Sequence, residues 1–173
     1  MNARRLKELE AAIAVRSPLL ARKLKPGLSE TRIKRSLARE RLEGDLEALL
    51  QLYSWKNGTL LDRELEEAKL AFFPKANYDF IELERAAADA RFIREASDFN
   101  PKLSVGIGRY VPVFWNGGTS WLTVDIKMGC HNRIVHLQSD NPQPYKEAYG
   151  SFDEFVTDAI NANLSDAALR YFQ

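Results

Sequence analysis

Cys130, His131 and His136 are the only cysteine and the only two histidines in this sequence, and they are the first candidates for a nucleophile, a general base or a metal ligand. Cys130 and His131 could act as a nucleophile and its base only if a turn brought them together and a third group oriented the base. His131 and His136 lie five residues apart, so on one continuous strand they point to opposite faces. One cysteine and two histidines without a second cluster do not match the ligand spacing of a zinc site. The sequence therefore predicts no catalytic residues and no metal, and we expect a protein that is not an enzyme.

Two further patterns resemble functional motifs. Gly106-Ile107-Gly108 begins like a dinucleotide-binding loop, but neither a third glycine nor a helix follows it. A run of acidic residues could supply a paired general acid and base, although such runs are usually solvated surface; it comprises Asp62, Glu64, Glu66 and Glu67. We therefore expect no cofactor.

Helical periodicity accounts for the first half of the chain and for its last part. Apolar residues recur at intervals of three and four, which predicts helices over residues 3–15, 30–42, 46–56, 82–96 and from 152 onward. Ser29 and Ser151 stand where N-caps belong, and Asp45 does so before the segment LEALLQLYSWKNG. In that segment Asn57 and Gly58 tolerate positive φ, so we expect them to close the last carbonyls of the helix.

Alternation with a period of two begins at residue 109 and predicts strands over 109–115, 120–126 and 133–137, with a hairpin turn at Asn116-Gly117-Gly118. Pro112 has no N–H to donate, so it belongs at an edge or an irregularity. The apolar run 70–73 predicts a buried strand or an extended packing segment. Helices, then strands, then a closing helix predict an α+β fold, in which helices pack on an antiparallel or mixed β-sheet.

Length and composition fit one domain that spans residues 1–173. The 173 residues are 45% hydrophobic, which is enough for one sizeable core. A single cysteine excludes an internal disulfide and favours a reducing compartment. The apolar patch after Arg4-Arg5 is shorter than the ~7 residues of a secretion signal, and no apolar run reaches the ~20 residues that span a bilayer. We therefore expect a cytoplasmic protein without a membrane partner.

The net charge of +1 hides a gradient along the chain. Residues 1–45 carry twelve Lys and Arg against six Asp and Glu, while residues 46–173 carry thirteen against eighteen. A basic first third could contact nucleic acid or an acidic partner. However, Arg32, Arg35 and Arg39 recur at helical spacing opposite Ile33 and Leu37, as on a solvated helix face, and no aromatic residues lie between them. We therefore expect no direct contact with nucleic acid.

Several motifs occur in an order that resembles the SUKH superfamily, which includes fungal cell-wall-assembly regulators of the Smi/Knr type and many bacterial immunity proteins. They are Leu24-Lys25-Pro26-Gly27-Leu28-Ser29 before a helix, LEALLQLYSWKNG, the strand from Trp121 to Asp125 followed by Ile134-Val135-His136, and Ser151-Phe152-Asp153-Glu154-Phe155. The resemblance begins near Leu20, which leaves residues 1–19 as an N-terminal helical extension. Gly44 stands where the family often has proline.

The resemblance implies an α+β fold without a conserved active site. It also implies an immunity protein that binds and neutralises the toxin domain of a bacterial polymorphic toxin. The alternative is a non-catalytic regulatory scaffold that binds an endogenous partner, as the fungal relatives do. A third hypothesis, from a different class, is a small enzyme centred on Cys130 and His131.

A partner-binding surface is predicted at the exit of the 46–56 helix and on the exposed face of the hairpin. The predicted contacts are Trp55, Asn57, Trp121 and Asp125. On the strand 120–126, Trp121 and Asp125 share one face with Thr123, while the other face is the natural core side. The alternatives are core packing for each tryptophan and a structural hydrogen bond at a strand end for Asp125.

Overall fold

A computed structural model describes residues 3–60, 62–68, 70–106 and 108–173. Helices lie toward both ends of the chain, and most of the antiparallel strands lie between residues 79 and 149. The helices are α1 (Ala3–Arg16), α2 (Pro18–Lys23), α3 (Glu30–Arg39), α4 (Glu47–Trp55), α5 (Arg63–Glu67), α6 (Leu83–Ala96) and α7 (Phe152–Ser165), with 3₁₀ segments at Pro101–Gly106 and Arg170–Phe172. The strands are β1 (Leu24–Pro26), β2 (Lys56–Thr59), β3 (Asp79–Phe80), β4 (Tyr110–Trp115), β5 (Ser120–Asp125), β6 (Ile134–Gln138) and β7 (Tyr145–Tyr149). The predicted α+β fold is confirmed.

The main sheet has five antiparallel strands in the order β3-β4-β5-β6-β7, and β1 pairs with β2 in a separate two-stranded sheet. The predicted hairpin and third strand are β4, β5 and β6. The register between β4 and β5 shifts between Pro112 and Phe114, which confirms the predicted irregularity at the proline. β7 was not predicted as a strand, because its sequence YKEAY places two charged residues in its middle.

The main core lies between one face of this sheet and the helices α1, α4 and α7. Its centre is aromatic, since the rings of Phe72 and Phe73 lie 5.1 and 4.9 Å from that of Phe114, which in turn lies 5.5 Å from Phe155. The apolar run that supplies the first two rings is an extended packing segment, with a single bridge from Phe73 to Ala76 and no strand. α1 packs along α7 and buries its apolar stripe in this core, so the predicted N-terminal extension is part of the fold.

The second face of the sheet is also covered, which makes the expectation of an exposed hairpin face wrong. Trp121 and Leu137 form a small second core with Ile93 of α6 and Leu103 of the first 3₁₀ segment. Every residue of β5 is buried. Alternation along a strand cannot reveal this arrangement, because it is the long connection through α6 that covers the second face.

The ends of α4 differ in part from the prediction. Asp45 Oδ1 accepts a hydrogen bond from the N–H of Glu47 at 3.2 Å, as a capping residue should. Asn132 Oδ1 caps the next position, because it accepts from the N–H of Ala48 at 2.9 Å. The expected closure by Asn57 and Gly58 is wrong, because the chain turns directly into β2.

The other two predicted caps are confirmed: Ser29 Oγ accepts from the N–H of Arg32, and Ser151 Oγ accepts from that of Glu154. Among the described helices, none combines the length and apolar character that crossing a bilayer requires.

Candidate functional site

The exit of α4 places the two predicted contacts Trp55 and Asn57 in different environments. Trp55 is half-buried, and its ring stacks on that of Phe80 with the centroids 6.3 Å apart. Its indole Nε1 donates to Glu10 Oε2 at 2.9 Å, so the ring is fixed while one edge stays accessible. Asn57 is only 6% exposed, and its Oδ1 accepts from the N–H of Leu83 at 3.0 Å. Asn57 therefore caps α6.

Trp121 is 5% exposed and lies in the second core beneath α6. Its Nε1 donates to Asp89 Oδ2 at 2.9 Å, and Arg85 Nε binds the other oxygen of that carboxylate at 2.6 Å. The indole thus donates a hydrogen bond to a buried carboxylate, and the structure agrees with the core-packing alternative for Trp121.

Asp125 is fully buried at the end of β5. Arg109 donates to both of its carboxylate oxygens, at 2.9 and 2.8 Å, and Arg133 Nε donates to Oδ2 at 2.7 Å. Burial by itself raises the pKa of Asp125, but the hydrogen bonds from the two arginines outweigh it and hold the pKa below its usual value. The structure thus agrees with the structural-hydrogen-bond alternative. Of the four predicted contacts, only Trp55 offers an accessible side chain.

Cys130 and His131 occupy a tight turn between β5 and β6. His131 is exposed with φ of 51°, and Asn132 follows with φ of 49°. In the part of the chain that the structure describes, no hydrogen bond joins the thiol to the imidazole. No group of three or more His, Cys, Asp or Glu side chains among the described residues is arranged to hold a metal ion.

His136 belongs to a polar cluster that sequence reasoning missed. Its Nε2 lies 2.5 Å from Ser120 Oγ and 2.8 Å from the Tyr78 hydroxyl, and its Nδ1 lies 3.0 Å from the Tyr171 hydroxyl. Burial first, and then the charge of Lys146, lower the pKa of His136, which favours a neutral imidazole. These partners lie on separate elements, so no spacing in the sequence could have joined them.

A serine that is hydrogen-bonded to a histidine could act as a nucleophile with its general base, but this serine is not an accessible nucleophile. Ser120 is buried, and the Tyr78 hydroxyl lies 2.6 Å from its Oγ as well as binding the same imidazole nitrogen. The cluster instead joins the residue before β3, together with β5 and β6, to the C-terminal 3₁₀ segment. Tyr78 also stacks on Phe172 with ring centroids 5.3 Å apart.

Two other sequence patterns have structural explanations. A Cβ at Gly106 would collide with the ring of Tyr145, and Ile107 lies outside the described residues. In the acidic run, Asp62 binds Lys23 at 2.5 Å and Glu64 binds it at 2.8 Å, whereas the side chain of Glu66 lies outside the described residues. Such pairs join the basic first third of the chain to the acidic remainder and so partly cancel the charge gradient.

Two hollows in the accessible surface lie beside α4. One hollow of 550 Å³, which we call the α4 groove, is bordered by α1 and α4 and lined by Ala3, Leu6, Lys7, Glu10, Glu30, Leu50, Gln51, Ser54 and Trp55. A second hollow of 310 Å³, which we call the acidic hollow, is lined by Asp45, Glu47, Ala48, Gln51, His131, Asn132, Ser151, Phe152 and Asp153. Gln51 lines both, so the two hollows adjoin along α4.

Comparison with known proteins finds no family model that matches this chain and no curated protein that matches it significantly. The resemblance to the SUKH superfamily therefore depends on the order of the sequence motifs and has no independent support.

Proposed function

We propose that this chain is a cytoplasmic immunity protein that binds the toxin domain of a bacterial polymorphic toxin and occludes its active site. The order of the sequence motifs, which resembles that of the SUKH superfamily, supports the assignment to immunity proteins. The observation that carries a binding function is the fixed indole of Trp55 at the rim of the α4 groove. Large aromatic side chains next to apolar recesses are the usual anchors of protein interfaces.

The α4 groove is suited to binding because its walls are ordered before a partner arrives. Leu6 of α1 and Leu49 of α4 are buried in the main core, so both helices are anchored by their inner faces. Trp55 is held on one side by Phe80 and on the other by Glu10. A partner would therefore lose little affinity to the ordering of this surface.

The experiment that tests this proposal is co-expression of the chain with the toxin encoded beside its gene. We expect the wild-type protein to restore growth and a Leu50→Asp variant, which places a charge in the α4 groove, to restore it less. Phe99→Asp is the matched control, because Phe99 is 92% exposed and does not line either hollow.

If the wild-type chain does not protect the cell, the immunity function is wrong for that pair. The absence of a neighbouring toxin gene, together with a cell-wall defect on deletion, would favour the regulatory scaffold. If the wild-type chain protects and both variants protect equally, the function stands and the α4 groove is excluded as the binding site.

A further inference from the structure

We infer that a further site, separate from the α4 groove, binds a free acidic amino acid through its ammonium group and its two carboxylates. The site is a hollow of 360 Å³, which we call the Arg16 hollow, and it lies where the end of α1, the segment 70–77 and the end of α7 converge. No described residue lines both this hollow and one of the two hollows beside α4. The inference is therefore independent of the proposed function.

Arg16 is the last residue of α1, and the extended segment opposite holds its guanidinium in place. Its Nη2 donates to the carbonyl oxygens of Ala71 and Phe72 at 2.9 and 3.0 Å. A guanidinium has five N–H groups, so three of them, on Nε and Nη1, have no acceptor among the described residues. Nε is enclosed by protein atoms, and the two N–H groups of Nη1 are therefore the ones left for a ligand.

The positive charge of Arg16 also lacks a close counter-ion. Burial lowers the pKa of Arg16, and the negative charge of Asp166 opposes this effect without outweighing it. Arg109 and Arg133 show the opposite behaviour, because their hydrogen bonds to Asp125 raise their pKa values. The two carbonyl oxygens bound to Arg16 carry only partial negative charges. An anion in the hollow would therefore stabilise this half-buried guanidinium.

A second cation stands at the rim of the hollow. Pro74 and Lys75 form a tight turn between Phe73 and Ala76, which are joined by a bridge, and Lys75 is exposed with φ of 54°. Within the described ranges of the chain, the ammonium group of Lys75 takes part in no hydrogen bond or ion pair. Two cations without partners line one hollow, and this favours a ligand with two carboxylates.

Asp166 follows the end of α7 and brings one carboxylate to the same hollow. It is exposed, and its backbone is left-handed with φ of 50°. None of the residues that the structure describes donates a hydrogen bond to this carboxylate, and no ion pair joins it to Arg16. A ligand that fills the hollow therefore needs a cationic donor for Asp166 in addition to its own anionic groups.

The charge and size of the hollow fit such a ligand. Arg16, Lys75 and Asp166 are its charged lining residues and give it a net charge of +1, which complements the single net negative charge of aspartate or glutamate at neutral pH. Leu70 and Phe73 supply apolar wall that the methylene groups of the ligand can contact. The volume of 360 Å³ lies at the lower end of the range of about 300–1,000 Å³ for small-molecule pockets.

Titration of the intact, isotope-labelled protein at constant ionic strength tests this chemistry. Glutamate carries both carboxylates and the ammonium group, glutarate lacks the ammonium group, and 4-aminobutyrate lacks one carboxylate. With glutamate, the amide signals of residues 71–77 and 166 and the guanidinium signals of Arg16 should shift until they saturate. We expect the other two compounds to bind at least about tenfold more weakly, because each leaves a charged group of the hollow without a partner.

Two variants with the same change in net charge test the contact with the ammonium group. Asp166→Asn alters the hollow, and Asp98→Asn alters an exposed position that does not line it. Asparagine tolerates the left-handed backbone at position 166, so the fold should persist. We expect Asp166→Asn to weaken glutamate binding about tenfold and to abolish the preference for glutamate over glutarate, whereas Asp98→Asn should leave the affinity for glutamate within about twofold.

A second pair of variants tests the contact with the outer carboxylate. Lys75→Asn removes the cation at the rim, and asparagine suits the positive φ at this position as well. Lys102→Asn makes the same change in net charge at an exposed position outside the hollow. We expect Lys75→Asn to weaken glutamate binding about fivefold and Lys102→Asn to leave it within about twofold.

The inference is overturned if neither glutamate nor aspartate shifts these signals, if glutamate and glutarate bind equally, or if Asp166→Asn and Asp98→Asn have equal effects. These results are distinguishable from a failure of the proposed function. A chain that binds glutamate in the Arg16 hollow but does not protect cells from the toxin retains this site and loses only the immunity function.

Discussion

Replacing Asp125 by asparagine removes a negative charge from a carboxylate that solvent does not reach. Asparagine has nearly the same volume and keeps one oxygen, so the packing around β5 should be preserved. What changes is the electrostatic balance, because the positive charges of Arg109 and Arg133 then face a neutral amide. The stability of this variant therefore distinguishes a role of Asp125 in stabilising the fold from a role in binding a partner.

The magnitude follows from the contacts. Breaking a buried ion pair by removing one partner costs about 3–5 kcal/mol when the remaining charge is left without solvent. Here the side chains of Arg109 and Arg133 are 23% and 29% exposed, so water can partly solvate them. We therefore expect the free energy of unfolding to fall by about 2–3 kcal/mol, which corresponds to about 4–12 °C in Tm for a chain of this length.

Urea unfolding at pH 7 and at low pH measures this effect. Because the pKa of Asp125 in the folded protein lies below its ordinary value of 3.8, its stabilisation is complete above that value and is lost as the pH falls through the folded-state pKa. The wild type and Asp125→Asn should thus differ at pH 7 and converge in strong acid. The m-value should not change.

Glu147→Gln is the matched control, because Glu147 binds the same Arg133 at 2.8 Å but is 54% exposed. Exposed pairs contribute about 0–1 kcal/mol, so this variant should unfold close to the wild type. If Asp125→Asn also unfolds within about 0.5 kcal/mol of the wild type, the buried network does not stabilise the fold. That result would return Asp125 to consideration as a partner contact.

Three further predictions concern two buried residues and the half-buried His136. Asn57→Ala should lower the free energy of unfolding by about 1–2 kcal/mol, because α6 loses its cap; a urea midpoint equal to that of the wild type would contradict this role. Trp121→Phe should cost about 1–3 kcal/mol, since the buried carboxylate above it loses a donor, and a midpoint unchanged from the wild type would show that the indole N–H is dispensable. Because the pKa of His136 is lowered from 6.5, folding stability should fall as the pH drops below that value; His136→Gln should reduce the slope of Tm against pH in this range, and a slope equal to that of the wild type would refute the assignment.

Predictions that needed only neighbouring residues agree well with the structure. The stripe of α1, the serine caps of α3 and α7, and the hairpin of β4 and β5 all follow from periods and turn residues that act within a few positions. The irregularity at Pro112 belongs to the same class, since the missing N–H is a property of the residue itself.

Predictions that depended on burial were less successful. Alternation predicts an exposed strand face for Trp121 and Asp125, because it shows that a strand has two faces and does not show what covers them. α6 covers one of these residues and two arginines enclose the other. Of the four predicted contacts, only Trp55 lies beside an accessible groove in the structure, because its position at the end of α4 leaves one edge of the ring uncovered.

The sequence by itself determined the α+β class, the longer helices α1, α3, α4, α6 and α7 with the serine caps of α3 and α7, and the central hairpin, because hydrophobic periods and capping residues act over less than two turns. Only the tertiary structure decided that Asn132 caps α4 from 84 residues away, that His136 contacts three separate segments of the chain, and that two hollows meet at Gln51. Those contacts arise when distant segments pack together, and the free energy that selects them comes from burying apolar surface, which no local pattern specifies.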